Sequence, residues 1–442
     1  LTTDGASYSV IIGSEAMATK TDTGSQNVVI GWRAGNAMTT GEKNTYIGKD
    51  AGYNTTTGSN NVTLGATART GTTSSFGVMI GSNAGGYTDT GGYNTGIGYN
   101  TSKAITSGQY NIGLGPETLN DLTTGSRNIA IGYGAADGYD TESDNIAIGY
   151  DALGGAVAGG EKNTVIGNYA GDAITSADQN ILLGHHAGGA LTESNQNIAI
   201  GVDALKTLTT GSRSIAIGYE ALKTNTGGMN TAIGWLSMSN EGAGQNNIAI
   251  GDMTMQQTEA ANNNVVMGNF AGYGDSSGSP TDSGDGNTAI GHEAMRYWKQ
   301  GDFNTALGYQ AYQGTSNTAN GSKNISIGWT AGNNLTSGSN NVVIGAADVT
   351  ATGDDQLSIS SGDGSPVWLT GNSSGVVDFP NGLTNNGAAI SNTNQLTTFT
   401  LTGDSGSDQT IAHGNTLDIA GGTGIDTAVG ATDTVTVAID ST

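Results

Sequence analysis

Histidine and carboxylate are the side chains of this 442-residue chain most able to do chemistry; it has 4 His, 38 Asp plus Glu and no Cys. Their places are set by a unit that recurs along the chain, as NIAIGYGAA at 128–136, NIAIGYDAL at 145–153, NTVIGNYAG at 163–171, NIAIGVDAL at 197–205 and NTALGYQAY at 304–312. With the glycine of each Ile-Gly or Leu-Gly pair as position 0, His185 and His292 both stand at +1. Three copies of one such imidazole around an axis could hold a transition ion. Exposed or hydrogen-bonded histidine is the expectation for these two and for His186 and His413, and no metal or cofactor is assigned. Carboxylates recur at +2, as Glu15, Asp50, Glu117, Asp151, Asp203, Glu220 and Glu293. A catalytic acid pair should be singular, so a row repeated along the chain reads as a solvated face. Asp275, Asp282 and Asp285, in the loop 274–287, could offer oxygens to Ca²⁺, but they lack the period of calcium-binding repeats. No phosphate-binding glycine loop or His-Glu-x-x-His motif occurs.

The +1 column also gathers Trp32, Tyr99, Tyr133, Tyr150, Tyr219, Trp235, Tyr309 and Trp329. Such a row can form outward platforms that stack on the sugars of a polysaccharide. It can equally be packing, at a seam between chains or over a corner, with polar tips in water. Packing is the preferred reading. Ranks of Thr in the turns raise an ice-binding alternative, which is disfavoured because the threonines sit in glycine turns, not on a flat strand face.

These residues need elements to hold them in register, and the period supplies them. The zero glycine recurs twenty times between Gly13 and Gly345, mostly 17 residues apart, with longer gaps before Gly291 and Gly328. A period this short points to a solenoid. Position −1 is Ile, Leu or Met in all twenty units, and −3 is always Val, Ile or Thr. The two positions share one face of a strand, and β-branched residues favour the extended chain. Helix fails, because the apolar spacing is 2 and Gly turns such as TTGEKN (39–44) interrupt every unit. Each unit is therefore one coil of an all-β parallel solenoid, and twenty coils about 4.8 Å apart make a shaft of about 95 Å. The −1 and −3 rows are expected to fill the coil core, with Ala at +3 (fifteen units) marking close backbone approach. Position −4 is Asn in seventeen units, among them Asn27, Asn44, Asn128, Asn145, Asn163, Asn197, Asn247 and Asn304. That column is expected to form a structural amide ladder along the stack. A coil so rich in Ala, Gly and Thr buries little apolar area for the backbone entropy it loses. Chains are therefore expected to associate side by side.

Composition narrows the partners. The formal net charge is −24, and only 12% of residues are charged. Duplex nucleic acid needs a basic footprint, an anionic membrane surface is equally disfavoured, and no apolar run is long enough to span a bilayer. Absence of Cys excludes disulfides without naming a compartment.

The N-(I/T/V)-A-I-G-x-x-A unit resembles the head repeats of trimeric autotransporter adhesins. NTAIGWLSM (230–238) and SIAIGYEAL (214–222) are closer to repeats of bacteriophage tail fibres, which often precede an intramolecular chaperone domain. The segment 354–387 is similar to connectors that follow such repeats, and 399–442 to β-rich modules of cyanophage structural proteins. The resemblance implies a left-handed β-roll in a homotrimer. It also implies a structural tail-fibre protein of the virion, extracellular, contacting other tail or fibre proteins and possessing a host-recognition surface for cell-surface polysaccharide. A bacterial surface adhesin is the alternative. No anchor barrel follows the repeats here, which favours the phage reading, and a chaperone domain is expected to lie outside this chain or to have been cleaved. The expected division is a solenoid over 1–349, a connector over 350–385 and a small β module over 386–442. No enzymatic activity is expected; a depolymerase would need a singular acidic pair, and the insert at 269–290 is the one place to seek it.

Overall fold

The computed structural model describes residues 8–19, 24–86, 89–155, 160–240, 242–258, 260–274, 284–314 and 320–385, together with short strands beyond them. Each 17-residue unit contributes one three-residue strand, from β1 (Val10–Ile12) to β20 (Val342–Ile344), and each strand spans positions −3 to −1. Successive strands pair in parallel without register shift: Thr164 lies opposite Ile181, and Ile181 opposite Ile198. The pairing goes beyond the strands. At one corner Gly35 N–H donates to Ala51 O at 2.8 Å, and in the far turn Thr39 N–H donates to Thr56 O at 2.8 Å. Backbone groups are thus satisfied by the adjacent coil around the circumference, as buried polar groups require.

A short closed coil needs sharp corners, and these fall at fixed offsets. In the coil of Gly201, the left-handed residues are Asp203 (φ 57°), Leu205 (φ 52°) and Arg213 (φ 61°). Position 0 is stricter. Gly201 has φ 137°, and a Cβ there would lie 2.3 Å from the carbonyl oxygen of Gly218 in the next coil. Only glycine meets both demands, which is why this column never varies.

The core corrects the expected inside and outside. Position −2 points inward: Ala130, Ala147, Val165, Leu182 and Ala199 are fully buried, whereas the −3 and −1 residues are half-buried or exposed. The interior is completed by Ala at +3, by Leu or Met at +4 (Leu119, Leu153, Leu205, Met255) and by larger residues at +7 (Leu122, Ile174, Leu208, Trp298). Period-2 alternation places −3 and −1 on one face without saying which. The coil is thin, so its strand side admits mostly small residues at −2, and the bulkier β-branched residues go outside.

The sheet continues past residue 349. β21 (Leu357–Ser360) stacks in parallel on β20, and β22 (Val367–Gly371) and β23 (Val377–Asp378) then extend it antiparallel. The chain divides into a unit of residues 1–380 and a unit of residues 381–442. In the second unit, three antiparallel pairs are described: β24 (Leu383–Asn385) with β25 (Ala388–Ile390), β26 (Thr398–Leu401) with β27 (Gln409–Ala412), and β28 (Ile425–Val429) with β29 (Val435–Ile439).

Candidate surface face and its ladders

Because −2 points in, positions −5, −3, −1 and +1 share the outer face. Its two central rows are aliphatic or threonine and continue through all twenty strands. Ile97, Ile181 and Ile325 are each 40% exposed and Leu307 is 45% exposed. At about 4.8 Å per coil and roughly 10 Å of strand width, this stripe covers about 950 Å². A monomer seldom exposes a contiguous apolar patch of more than a few hundred Å².

Aromatic rows flank the stripe. All eight predicted +1 residues (Trp32, Tyr99, Tyr133, Tyr150, Tyr219, Trp235, Tyr309 and Trp329) are exposed, Trp329 most at 57%. Two pairs from consecutive coils face one another. Tyr133 and Tyr150 stack with centroids 5.3 Å apart, and His292 and Tyr309 at 5.2 Å. A ring stacked on the next coil turns its edge outward, so these pairs offer a flanking sugar less face than an isolated ring would. Trp32 lies beneath two cations, the guanidinium carbon of Arg33 and Nζ of Lys49 each 5.1 Å from the ring centroid. A second row, at −5, escaped the sequence reading. Phe76, Tyr93 and Tyr110 form an exposed stack with spacings of 4.9 and 5.0 Å. Their common 17-residue interval was the available signal.

The asparagine column lies just inside this face, fully buried. Asn44 N–H donates to Asn27 Oδ1 at 2.9 Å, and Asn27 Nδ2 donates to Gly41 O at 3.0 Å. The same bonds recur through Asn128, Asn145, Asn163, Asn197, Asn247 and Asn304. Each side chain therefore ties two backbone groups of the following coil, a role wider than amide-to-amide contact. Ser214, one of the exceptions, accepts from Asn230 N–H only at 3.4 Å. A parallel ladder at −6 was also missed: Ser126 N–H donates to Ser143 Oγ, Asp178 N–H to Asn195 Oδ1 and Asp285 N–H to Asp302 Oδ1. Its mark in the sequence is a column of Ser, Asn and Asp.

The +2 carboxylates are not a freely solvated row. Arg33 lies between Glu15 and Asp50, at 3.9 and 3.6 Å. Lysines three residues along the chain reach Asp203 (3.1 Å) and Glu220 (2.9 Å). Glu293 accepts from Arg296, Gln310 and Gln313. Burial raises the Asp151 carboxyl above its ordinary range. Five of the seven carboxylates thus have a basic neighbour on the coil corner, and the adjacent Glu117 carboxylate raises the Tyr133 phenol. Turn threonines likewise spend their hydroxyls within the stack, Thr106 donating to Thr123 O at 3.0 Å and Thr175 to Thr192 O at 3.1 Å. Of the insert carboxylates, Asp285 accepts from Asn262 N–H at 2.7 Å; Asp275, Asp282 and the centre of the insert lie outside the described residues, as does His413.

Comparison with protein-family models, curated proteins and solved structures finds no match to this chain.

Proposed function

We propose that this chain is a structural protein, the shaft of a phage tail fibre or similar extracellular appendage, in which parallel copies pack by their outer strand faces. One observation carries the reading: the apolar stripe from β1 to β20, which a lone chain leaves half in water. Rows of largely aliphatic residues in register along parallel strands suit a like surface on another copy. The number three comes from the resemblance of the repeats to trimeric fibre and adhesin heads. In this arrangement the aromatic rows at −5 and +1 rim the interface, where Tyr and Trp are favoured. The remaining surface, acidic in sum, keeps neighbouring fibres apart. Other tail or fibre proteins would meet the ends of such a shaft, and its exposed flanks would present a host-recognition surface to cell-surface polysaccharide. The reading assigns the chain no catalysis, cofactor, nucleic acid or membrane insertion.

Native mass spectrometry of the full chain tests the assembly. A trimer is expected, and Ile181→Glu together with Ile200→Glu should dissociate it; a soluble, well-folded monomer of the unaltered chain would refute the proposal. Immunogold electron microscopy of the source material tests the setting. Gold on thin fibres at phage tails supports it, and gold on cell envelopes transfers the same architecture to a bacterial adhesin.

A further inference from the structure

Along the +2 column, His186 occupies the place that Asp, Glu or Arg takes in other coils, with Asp203 directly above it. Both are held at left-handed corners (φ 53° and 57°), and their backbones are tied in place: His186 N–H donates to Asn168 O, and Asp203 N–H to His185 O. His185 at +1 leans onto His186, with ring centroids 3.9 Å apart at 42°. His186 Nδ1 lies 3.4 Å from Asp203 Oδ1, and one ligand atom from each of the three residues falls within 4.8 Å of the others. Asp203 Oδ1 is buried, its other close neighbour being the Lys206 ammonium at 3.1 Å. Tyr169 closes the lower side, 5.3 Å from the His186 ring. A cleft of about 340 Å³ opens beside His186, lined also by Asp172, Gly189, Lys206 and Thr207.

We propose that His185, His186 and Asp203 form an intrachain binding site for a borderline divalent transition ion such as Zn²⁺. Two imidazoles and one carboxylate suit that class and not Ca²⁺ or Mg²⁺, which prefer oxygen. Water fills the remaining positions from the cleft side. The ion bridges two successive coils and clamps them mid-shaft. Lys206 competes for the site: its ammonium occupies the carboxylate oxygen that the ion needs, and it is long and exposed enough to swing away. The site differs from a histidine ring on a three-fold axis, because one chain supplies every ligand.

Untagged full-length protein, stripped with chelator, loaded with ZnCl₂ and desalted, should retain one zinc per chain by elemental analysis. Titration calorimetry with ZnCl₂ should show His186→Gln weakening binding at least about a hundredfold, the upper end of what even an indirect partner of a metal costs. Lys206→Met should tighten it, and His292→Gln should leave it unchanged. Circular dichroism of the zinc-free variants checks that the coils still form. Wild-type protein that retains no zinc overturns the proposal, as does retention undiminished in both folded His186→Gln and Asp203→Asn. One ion per three chains that survives His186→Gln but not His185→Gln would also overturn it and place the metal on an axis between chains.

Discussion

Single residues in this chain answer to the neighbouring coil more than to their own. Asp89 shows it: the side chain is buried, it accepts from Gly91 N–H at 2.7 Å, and burial pushes its pKa up from 3.8 to about 8. Because the folded state holds this proton more tightly than the unfolded chain, the stability it confers is complete below about pH 4. It is lost progressively as pH rises towards 8. Asp89→Asn keeps the carbonyl acceptor and removes the titration. The variant should therefore melt close to wild type at pH 4–5 and well above it at pH 9, and thermal scans at the two values check this; equal slopes for both proteins would contradict it. Asn163 supplies the complementary case. Its Oδ1 accepts from Asn180 N–H at 2.9 Å and its Nδ2 donates to Ala177 O at 2.8 Å. Asn163→Ala strands both groups in a buried site, at about 1–3 kcal/mol each. Asn163→Ser should lose less, since Ser214 occupies the same place in its own coil. Chemical denaturation of the three proteins ranks them.

At the scale of the coil, the sequence made much of the architecture legible and misassigned one aspect. The 17-residue interval, the strand at −3 to −1, the invariant glycine and the asparagine column each answer to a contact that recurs identically at every rung, so each leaves a column that can be read. The inward face did not follow from those columns. Apolarity pointed to Val and Ile at −3 and −1 as core, yet the informative residues were the alanines at −2 in Ala130, Ala147 and Ala199, too small to face water for any reason of burial. The outer apolar row is the one that the proposed packing against another copy would cover, and one chain's sequence does not display such a surface. The pairing of +2 carboxylates with basic residues was hidden for a related reason: Arg33 reaches acids in the coils on both sides, and Lys206 and Lys223 come from the turn that follows. The histidine cluster was half visible, with His185 noted at +1, but only the fold brings Asp203, seventeen residues on, beside His186.

For the shaft as a whole, stability is distributed in the manner of a one-dimensional array. Interior coils have two neighbours, whereas β1 pairs only with β2 among the described strands, so in this chain loss should begin on that side. Hydrogen–deuterium exchange should find amides near β10 (Thr164–Ile166) and β11 (Ile181–Leu183) more protected than those of β1; uniform protection along the shaft would show that unfolding is all-or-none. β21 and the antiparallel pair that follows it cover the β20 end, which limits edge pairing there.

The in-register joint between coils has a genetic consequence. Most junctions present the same glycine, an asparagine and three opposed residues of similar kind, so one coil can follow another without a new kind of interface having to arise. A gene for such a protein can gain or lose whole 51-base units by unequal recombination and still encode a continuous shaft. Deleting residues 198–214 joins Asn197 to Ile215, restores the standard joint, and should yield a folded protein shorter by about 4.8 Å. Length would then be the trait most readily changed by descent, in steps of one coil, while the cross-section stays the same.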